Sequence, residues 1–415
     1  MTQSQRPTTK SQRSGHRVVV VGAGYAGVLA ANRILSSRGR HRGEETAQDC
    51  QVTVINPRDE FIERIRLHEV VAGTRPSAAV PLSEVLHQDA EVLVGTVDEI
   101  DPAARCVRVG DAGTVVPYDT LVYAVGSNTA HSVPGIDEHA HHAGDAAGAE
   151  KLRKELAALA PGSVVRVVGG GFTAVEIVSE IAAARPDLLV DIVAAGNVLG
   201  YMRPAARKRI LRALDGFGVT QHEGAQVTRV GERELVLADG RALEFDVCVW
   251  AASFEVPDLA RRSRLATDAD GRLRVDATLT SLDHPDIVGA GDAVVAPPEV
   301  GAHLRMACAV ALPLGGHAAA TVLARIRGEQ RPTLSLGFVL QCMSLGRKDG
   351  YLQFVQADDS PRPIGVSGRL GAVAKEAICK MTVDKLRAEQ TQPGAYKAPK
   401  GPKPVSRPLS EAVTR

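Results

Sequence analysis

Short valine-rich runs recur along this chain, and each gives way to glycine and then to a stretch of helical period. Arg17-Val18-Val19-Val20-Val21 has the β-branched density of a strand buried on both faces of a parallel sheet. Gly22-Ala23-Gly24-Tyr25-Ala26-Gly27 follows it and opens a predicted helix from Val28 to Leu35. A polar, charged stretch from Ser36 to Asp49 reads as an exposed loop, and Gln51-Val52-Thr53-Val54-Ile55 predicts the next strand. The same order returns downstream. Ser163-Val164-Val165-Arg166-Val167-Val168 leads into Gly169-Gly170-Gly171-Phe172-Thr173-Ala174, then into a helix through Glu176, Ile177 and Ile181 that stops by Pro186, then into a strand over Leu189 to Val193. Strands alternating with helices in this way predict an α/β fold with parallel sheets.

Each glycine-rich turn has a physical task. Gly22 allows a tight turn, Gly24 lets the backbone approach a pyrophosphate, and Gly27 lets the helix pack close to the strand. Free backbone N–H groups and the positive helix end then face the phosphates. Asn56 stands where a ribose-binding acid is usual and offers a hydrogen bond without the charge. In the second turn Gly169 and Gly171 take the first two glycine places and Ala174 the third. Ala194-Ala195-Gly196 ends the strand after it, with no carboxylate for a 2′-hydroxyl. Arg203, Arg207, Lys208 and Arg209 follow, either as partners for a 2′-phosphate or as the solvated face of a helix. NADH and NADPH therefore both stay open. Two such turns in one chain suggest one dinucleotide that stays bound and a second that delivers electrons to it.

The ordered set of motifs resembles the two-dinucleotide-domain flavoprotein oxidoreductases, and most of all the type II NADH dehydrogenases and their relatives. Val18 to Gly27 is similar to the FAD fingerprint, and Leu121-Val122-Tyr123-Ala124-Val125-Gly126-Ser127 to the strand and turn that leave the FAD domain. Val168 to Glu176 resembles the nicotinamide-nucleotide turn, and Cys248-Val249-Trp250-Ala251-Ala252 the end of that domain. Asp286-Ile287-Val288-Gly289-Ala290-Gly291-Asp292 resembles the last FAD motif, whose aspartate binds the ribityl chain. The resemblance implies FAD and NADH or NADPH as cofactors, with hydride passing from nicotinamide to flavin N5. It assigns cofactor binding to both turns (Gly22, Gly24, Tyr25, Ala26 and Gly27; Gly169, Gly171, Phe172 and Thr173). It extends that assignment to Asn56, Pro57, Arg58, Arg64 and Val97, and to Ala124, Val125, Gly126, Ala251, Gly291 and Asp292. Arg58, Arg64 and Arg66 are alternatives for the pyrophosphate or the adenosine ribose. Glu176 matches a glutamate close to both nicotinamide and flavin, which makes it the candidate catalytic residue, as an orienting or proton-linked group.

The fold class expected is α/β, with two Rossmann-like dinucleotide-binding domains and a small α+β C-terminal region. An FAD domain over residues 16–135 and 256–333 would be interrupted by a nicotinamide domain over 136–255. Ser132-Val133-Pro134-Gly135 and Phe254-Glu255-Val256-Pro257 read as the two crossings. Residues 334–390, with a strand at Tyr351 to Val355 and a helix near Val373 to Lys385, would cover the flavin. Residues 1–15 and 391–415 read as disordered tails, the second basic: from Gly371 onward nine Lys and Arg stand against four Asp and Glu.

Composition adds boundaries rather than chemistry. At 415 residues, 44% hydrophobic and a net charge of +1, the chain calls for two or three ordinary domains and for no nucleic-acid partner. Six scattered cysteines without a Cys-x-x-Cys pair argue against a redox-active disulfide and for a reducing, cytoplasmic setting. No apolar core precedes Val18, so no signal peptide is expected. The C-terminal helix, with small apolar residues, no Trp or Phe and lysines on more than one side, is not expected to anchor in a membrane. His131, His139, His141 and His142 fit no metal-ligand spacing, and no metal is expected.

The electron acceptor is the open question. Quinone-reducing relatives place an Ala-Gln pair near the flavin, and here Cys308-Ala309 stands in that place, with Pro313 expected to bend the helix. Cys308 is either a small core residue or a thiol facing the flavin. Three functions stay open: an FAD-dependent NAD(P)H oxidoreductase with a quinone-like or other small acceptor, a flavoprotein acting on a specialised metabolite or partner redox protein, and a flavin-bound redox sensor similar to apoptosis-inducing factor. Oligomeric state is not written in these motifs.

Overall fold

The computed structural model describes residues 15–38, 50–130 and 132–402. The expected N-terminal tail up to Ser14, nearly all of the loop from Ser36 to Asp49, His131 and the last thirteen residues lie outside them.

Two five-stranded parallel sheets carry the molecule. In the first, the spatial order is Ile287–Gly289, Thr120–Tyr123, His16–Val21, Cys50–Asn56, Ala90–Val94. Its edge strand lies, in sequence, beyond the whole second sheet, so the chain leaves this unit and returns to it. The second sheet runs His141–His142, Val247–Trp250, Val164–Val168, Leu189–Val193, Thr220–His222. The outgoing and returning chains meet where Asn128–Thr129 pairs antiparallel with Phe254–Glu255. Val18 to Val21 and Val165, Val167 and Val168 are buried, as strands covered on both faces must be.

Helix Tyr25–Ser36 packs on the first sheet and against helix Cys308–Arg327. Contact between the two is close because Gly315 has no side chain: a Cβ there would stand 2.2 Å from the Ala26 carbonyl oxygen. The long helix runs unbroken through Pro313, where the sequence predicts a bend. It is also long and apolar enough to cross a membrane, yet 67% of its apolar window is buried inside the protein, as in a core helix.

A three-stranded antiparallel sheet, Leu340–Leu345, Asp349–Val355 and Pro361–Ser367, is covered by helix Arg369–Glu389. That helix turns Gly371, Lys375, Cys379, Thr382, Val383 and Leu386 inward, an i, i+4, i+8 stripe. Its outer face exposes Leu370, Val373 and Met381, with Ile364 on the preceding strand, and Lys380 stands exposed among them while Lys375 turns inward, so lysines do lie on more than one side.

Residues 391–402 are held in place where composition predicts a disordered tail. Buried Glu389 accepts the N–H groups of Gly394 (3.0 Å) and Tyr396 (2.7 Å), and Arg33 donates to the Tyr396 carbonyl (2.7 Å). Gly337 donates to the Pro399 carbonyl at 3.0 Å.

Candidate functional site

One cavity of about 1600 Å³ opens where the C-terminal strand ends of both sheets face the small C-terminal sheet. Ordinary small-molecule sites measure roughly 300–1,000 Å³. The first glycine turn forms part of its wall. Gly22 has φ +101°, and a Cβ there would meet the Ala124 carbonyl oxygen at 2.4 Å. A Cβ on Gly27 would lie 1.9 Å from the Gly22 carbonyl oxygen, so the helix sits against its own turn. Gly24, by contrast, has open space on its Cβ side. The second turn repeats the arrangement: Gly169, at φ +145°, lies against the Ala251 carbonyl (2.8 Å from a built Cβ), and Gly171 faces open space.

Most residues singled out in the sequence converge here. Gly24, Tyr25, Ala26 and Arg64 form the wall with Ala124 and Gly126, and Gly291 and Asp292 close it from the returning segment. Gly169, Gly171, Phe172 and Thr173 line the other end, with Glu176 and Ala251. Gly22, Gly27 and Val125 stand behind the wall. Four expected cofactor contacts are elsewhere. Asn56 directs its amide oxygen to the Ala23 N–H (3.0 Å) and its amide nitrogen to the Arg58 carbonyl (2.7 Å), so it braces the turn. Pro57 and Arg58 flank it off the wall, and buried Val97 pairs with Val109 in a separate antiparallel sheet. Arg64 donates to the Ser127 carbonyl at 2.8 Å. Arg66, the third arginine considered, is fully buried and meets Glu69 (2.9 Å), Glu376 (2.8 Å) and Glu63 (3.4 Å).

Lys375, which the sequence reading missed, is the partner of Glu176. Its ammonium lies 2.8 Å from one carboxylate oxygen, which also accepts the Ser344 N–H at 3.0 Å. His68 Nδ1 is 4.0 Å from the other oxygen. Burial alone would raise the Glu176 carboxyl, but Lys375 overrides it, helped by His68 and the Ser344 N–H, and holds it below the usual range. Burial would lower the lysine, and Glu176 instead holds it well above its ordinary value. His68 is pushed down to about 4 by burial and is neutral at pH 7. Cys308, Cys342 and Cys379 line the same cavity. Burial pushes Cys308 up to about 11 and Cys379 up to about 12, and raises Cys342, so all three are thiols rather than thiolates.

Residues 16–311 match the family model for pyridine nucleotide-disulphide oxidoreductases. The chain belongs to that family. An NADH dehydrogenase-like protein of Mycobacterium tuberculosis is 29% identical over 358 residues, which cover 80% of this chain and 86% of the relative. A type II NADH:quinone oxidoreductase of Staphylococcus saprophyticus is 26% identical over 89% of this chain and 96% of its own. Among solved structures, the sulfide:quinone oxidoreductase of Aquifex aeolicus superposes with a TM-score of 0.77 at 18% identity, covering 96% of this chain and all of that one. The NDH2 of Plasmodium falciparum in complex with NADH gives 0.74 at 14%, covering 92% and 99%. Those two likenesses concern the fold.

As a pyridine nucleotide-disulphide oxidoreductase, the protein is a type II NADH dehydrogenase-like flavoenzyme that uses FAD and a nicotinamide nucleotide. The residues present fit both groups. Beside Gly24 and its open approach, Asp292 anchors one carboxylate oxygen on Ser127 Oγ (2.7 Å) and leaves the other, Oδ1, buried without a protein partner. Such an acceptor suits a hydroxylated chain. Beside Gly171, the buried Trp250 indole N–H is likewise unpartnered. All six cysteines are free in the structure. Among the described residues no three His, Cys, Asp or Glu side chains come together as a metal site.

Proposed function

We propose that this enzyme oxidises a nicotinamide dinucleotide and delivers the electrons, through FAD, to a small planar acceptor of quinone type. The observation that carries the reading is the Glu176–Lys375 pair, seated on one cavity between the turn of the second sheet and Gly291-Asp292 of the first. FAD would supply the two-electron relay; the chain supplies position and charge. In this reading residues 16–135 and 256–333 hold FAD, with Gly24 and the helix it opens receiving the pyrophosphate, Arg64 nearby, and Asp292 accepting from the ribityl hydroxyls. Residues 136–255 hold the nucleotide at Gly169, Gly171, Phe172 and Thr173. Residues 334–390 carry the acceptor side. Between them and helix Cys308–Arg327, the residues Cys308, Leu312, Leu340, Ile378 and Met381 offer an apolar slot, and the Lys375 ammonium offers a proton donor for an acceptor carbonyl. This arrangement replaces the amide of the Ala-Gln pair. Glu176 keeps Lys375 charged and positioned. Two relatives named for NADH:quinone oxidation support the acceptor class.

The test is an anaerobic stopped-flow experiment on the yellow protein. Nicotinamide nucleotide should bleach the flavin absorbance, and a short-chain quinone should restore it faster than dioxygen does. Bleaching followed by slow return with every quinone tried would move the acceptor to a specialised metabolite or a redox protein, and no bleaching would favour a flavin-bound sensor.

A second reading concerns location, and the exposed stripe Ile364, Leu370, Val373 and Met381 favours it. With Arg362, Arg369 and Lys380 beside it, this face fits the interface of an anionic bilayer. Sedimentation with anionic vesicles at physiological salt should carry the protein down, and Leu370→Glu with Val373→Glu should release it. Protein that stays in the supernatant returns the assignment to the cytoplasm.

A further inference from the structure

One part of the nucleotide end, beyond strand Leu189–Val193, is walled by uncharged residues. Its wall comes from Ala194, Ala195, Gly196 and Asn197 after strand Leu189–Val193, from Gln226 and from Trp250. None of these residues carries a charge; the charged side chains of the lining, Glu176, Arg305 and Asp359 among them, come from other elements. None of the cations that follow in sequence, Arg203, Arg207, Lys208 and Arg209, lines the cavity. Arg207 holds the Val198 carbonyl (2.8 Å) and pairs with Glu223, Arg209 pairs with Asp349 (2.8 Å), and Arg203 precedes the first turn of helix Pro204–Gly216. Glu223, the nearby acid, accepts the Val198 N–H at 2.7 Å as well as Arg207, and it too is off the wall.

We propose that this site takes NADH and NADPH with similar affinity, because it reads the adenosine ribose with neutral groups. The proposal rests on the cavity end being the nicotinamide-nucleotide site. Selectivity between the two nucleotides is a difference of binding free energies at one substituent, hydroxyl against phosphate dianion. A carboxylate at the strand end would accept from the 2′-hydroxyl and repel the phosphate, and an arginine would do the reverse. Ala194 and Ala195 do neither. Asn197 and Gln226 carry both donors and acceptors, so each has a group to offer to either substituent. Trp250 adds a donor indifferent to the substituent: its indole N–H is buried, without a protein partner, on a side chain of the wall.

Trp250 is also the only tryptophan in the chain, so its fluorescence reports on this end of the cavity alone. The experiment titrates the FAD-loaded protein with ADP-ribose and with 2′-phospho-ADP-ribose, which carry no redox group. Tryptophan emission and calorimetry are both followed. The two dissociation constants should agree within about tenfold. Ala195 is exposed on the wall and tolerates either charge, which supplies the control. Ala195→Glu should weaken the 2′-phosphorylated ligand about tenfold against its partner, and Ala195→Arg should shift the ratio about tenfold the other way. A native preference beyond about tenfold in either direction would overturn the proposal. So would two variants that leave the ratio unmoved or shift it in the same direction. If neither ligand binds by either method, the nucleotide-site reading falls, and the proposal falls with it.

Discussion

Replacing Lys375 by Met should destabilise the protein by about 3–5 kcal/mol at pH 8, the range for removing one partner from a buried ion pair. The structure supplies the reason. Glu176 and Lys375 have only 12% and 10% of their side chains exposed, and the Glu176 oxygen nearest the ammonium has just one other protein donor, the Ser344 N–H. Without the ammonium, a carboxylate would remain in a site that water barely reaches. Its folded-state pKa is now depressed, so the stability it contributes is present above its unfolded value near 4.5 and is lost as pH falls through the lower folded value. In Lys375→Met the sign reverses: burial raises the carboxyl, the unfolded chain gives up its proton first, and the deficit shrinks as pH drops from 8 toward 5. Glu176→Gln should also destabilise, by leaving the ammonium unpaired. The double variant should cost at least 2 kcal/mol less than the two single losses together, a coupling of roughly the size measured for contacting charged groups. Urea unfolding followed by far-ultraviolet circular dichroism at pH 5 and pH 8 measures all four proteins. Single losses that add to within about 0.5 kcal/mol, or a Lys375→Met deficit independent of pH, would refute the argument.

Other perturbations separate the remaining parts of the site. His68 is buried neutral and pushed down to about 4, against 6.5 when unfolded, so stability should fall by about 3 kcal/mol as pH drops from 6.5 to 4; His68→Asn should flatten that slope in the same urea experiment. Arg66→Met should cost about 3–5 kcal/mol because Glu63 and Glu69 stay buried around it, and Arg66→Lys should recover less than half, since one ammonium cannot reproduce the two-pronged contact with Glu376 (2.8 and 2.9 Å). Equal stability of the lysine variant and the parent would contradict the fork. A Cβ added at Gly24 or Gly171 has no protein atom within 4 Å, so Gly24→Val and Gly171→Val should both fold; the first should purify without flavin, and the second should purify yellow but resist bleaching by NADH. Flavin content and anaerobic spectra distinguish them, and the opposite pattern would exchange the two roles.

What was legible in the sequence was local. A glycine turn announces itself because the requirement is met within a few residues: Gly22 needs a positive φ and Gly27 needs a missing side chain, whatever the rest of the chain does. Asn56 shows the limit of that logic. It ends the strand as the pattern predicts, but its amide oxygen accepts the Ala23 N–H of the turn, a bond the linear sequence does not announce. The segment 391–402 looked disordered because Pro, Gly and Lys carry no periodic pattern, while the groups that hold it, Arg33 and Glu389, are themselves 356 positions apart. Lys375 and Glu176 are likewise joined only by the fold, and so are Arg66 and Glu376. Even so, the helix that carries Lys375 held a usable signal. Gly371, Cys379, Val383 and Leu386 mark an inward stripe at helical spacing, and Lys375 falls in the middle of it. A lysine on the buried face of an amphipathic helix either reaches water with its tip or has a carboxylate waiting inside. Lys375 stands four residues from each of its stripe neighbours, so its tip is walled in on both sides. The matching acid then had to lie in another core element, and the helix opened by the second glycine turn carries Glu176 and Glu180 on its inward side. A polar residue inside a hydrophobic stripe thus signals a buried partner, while the fold alone decides which of the core carboxylates that partner is.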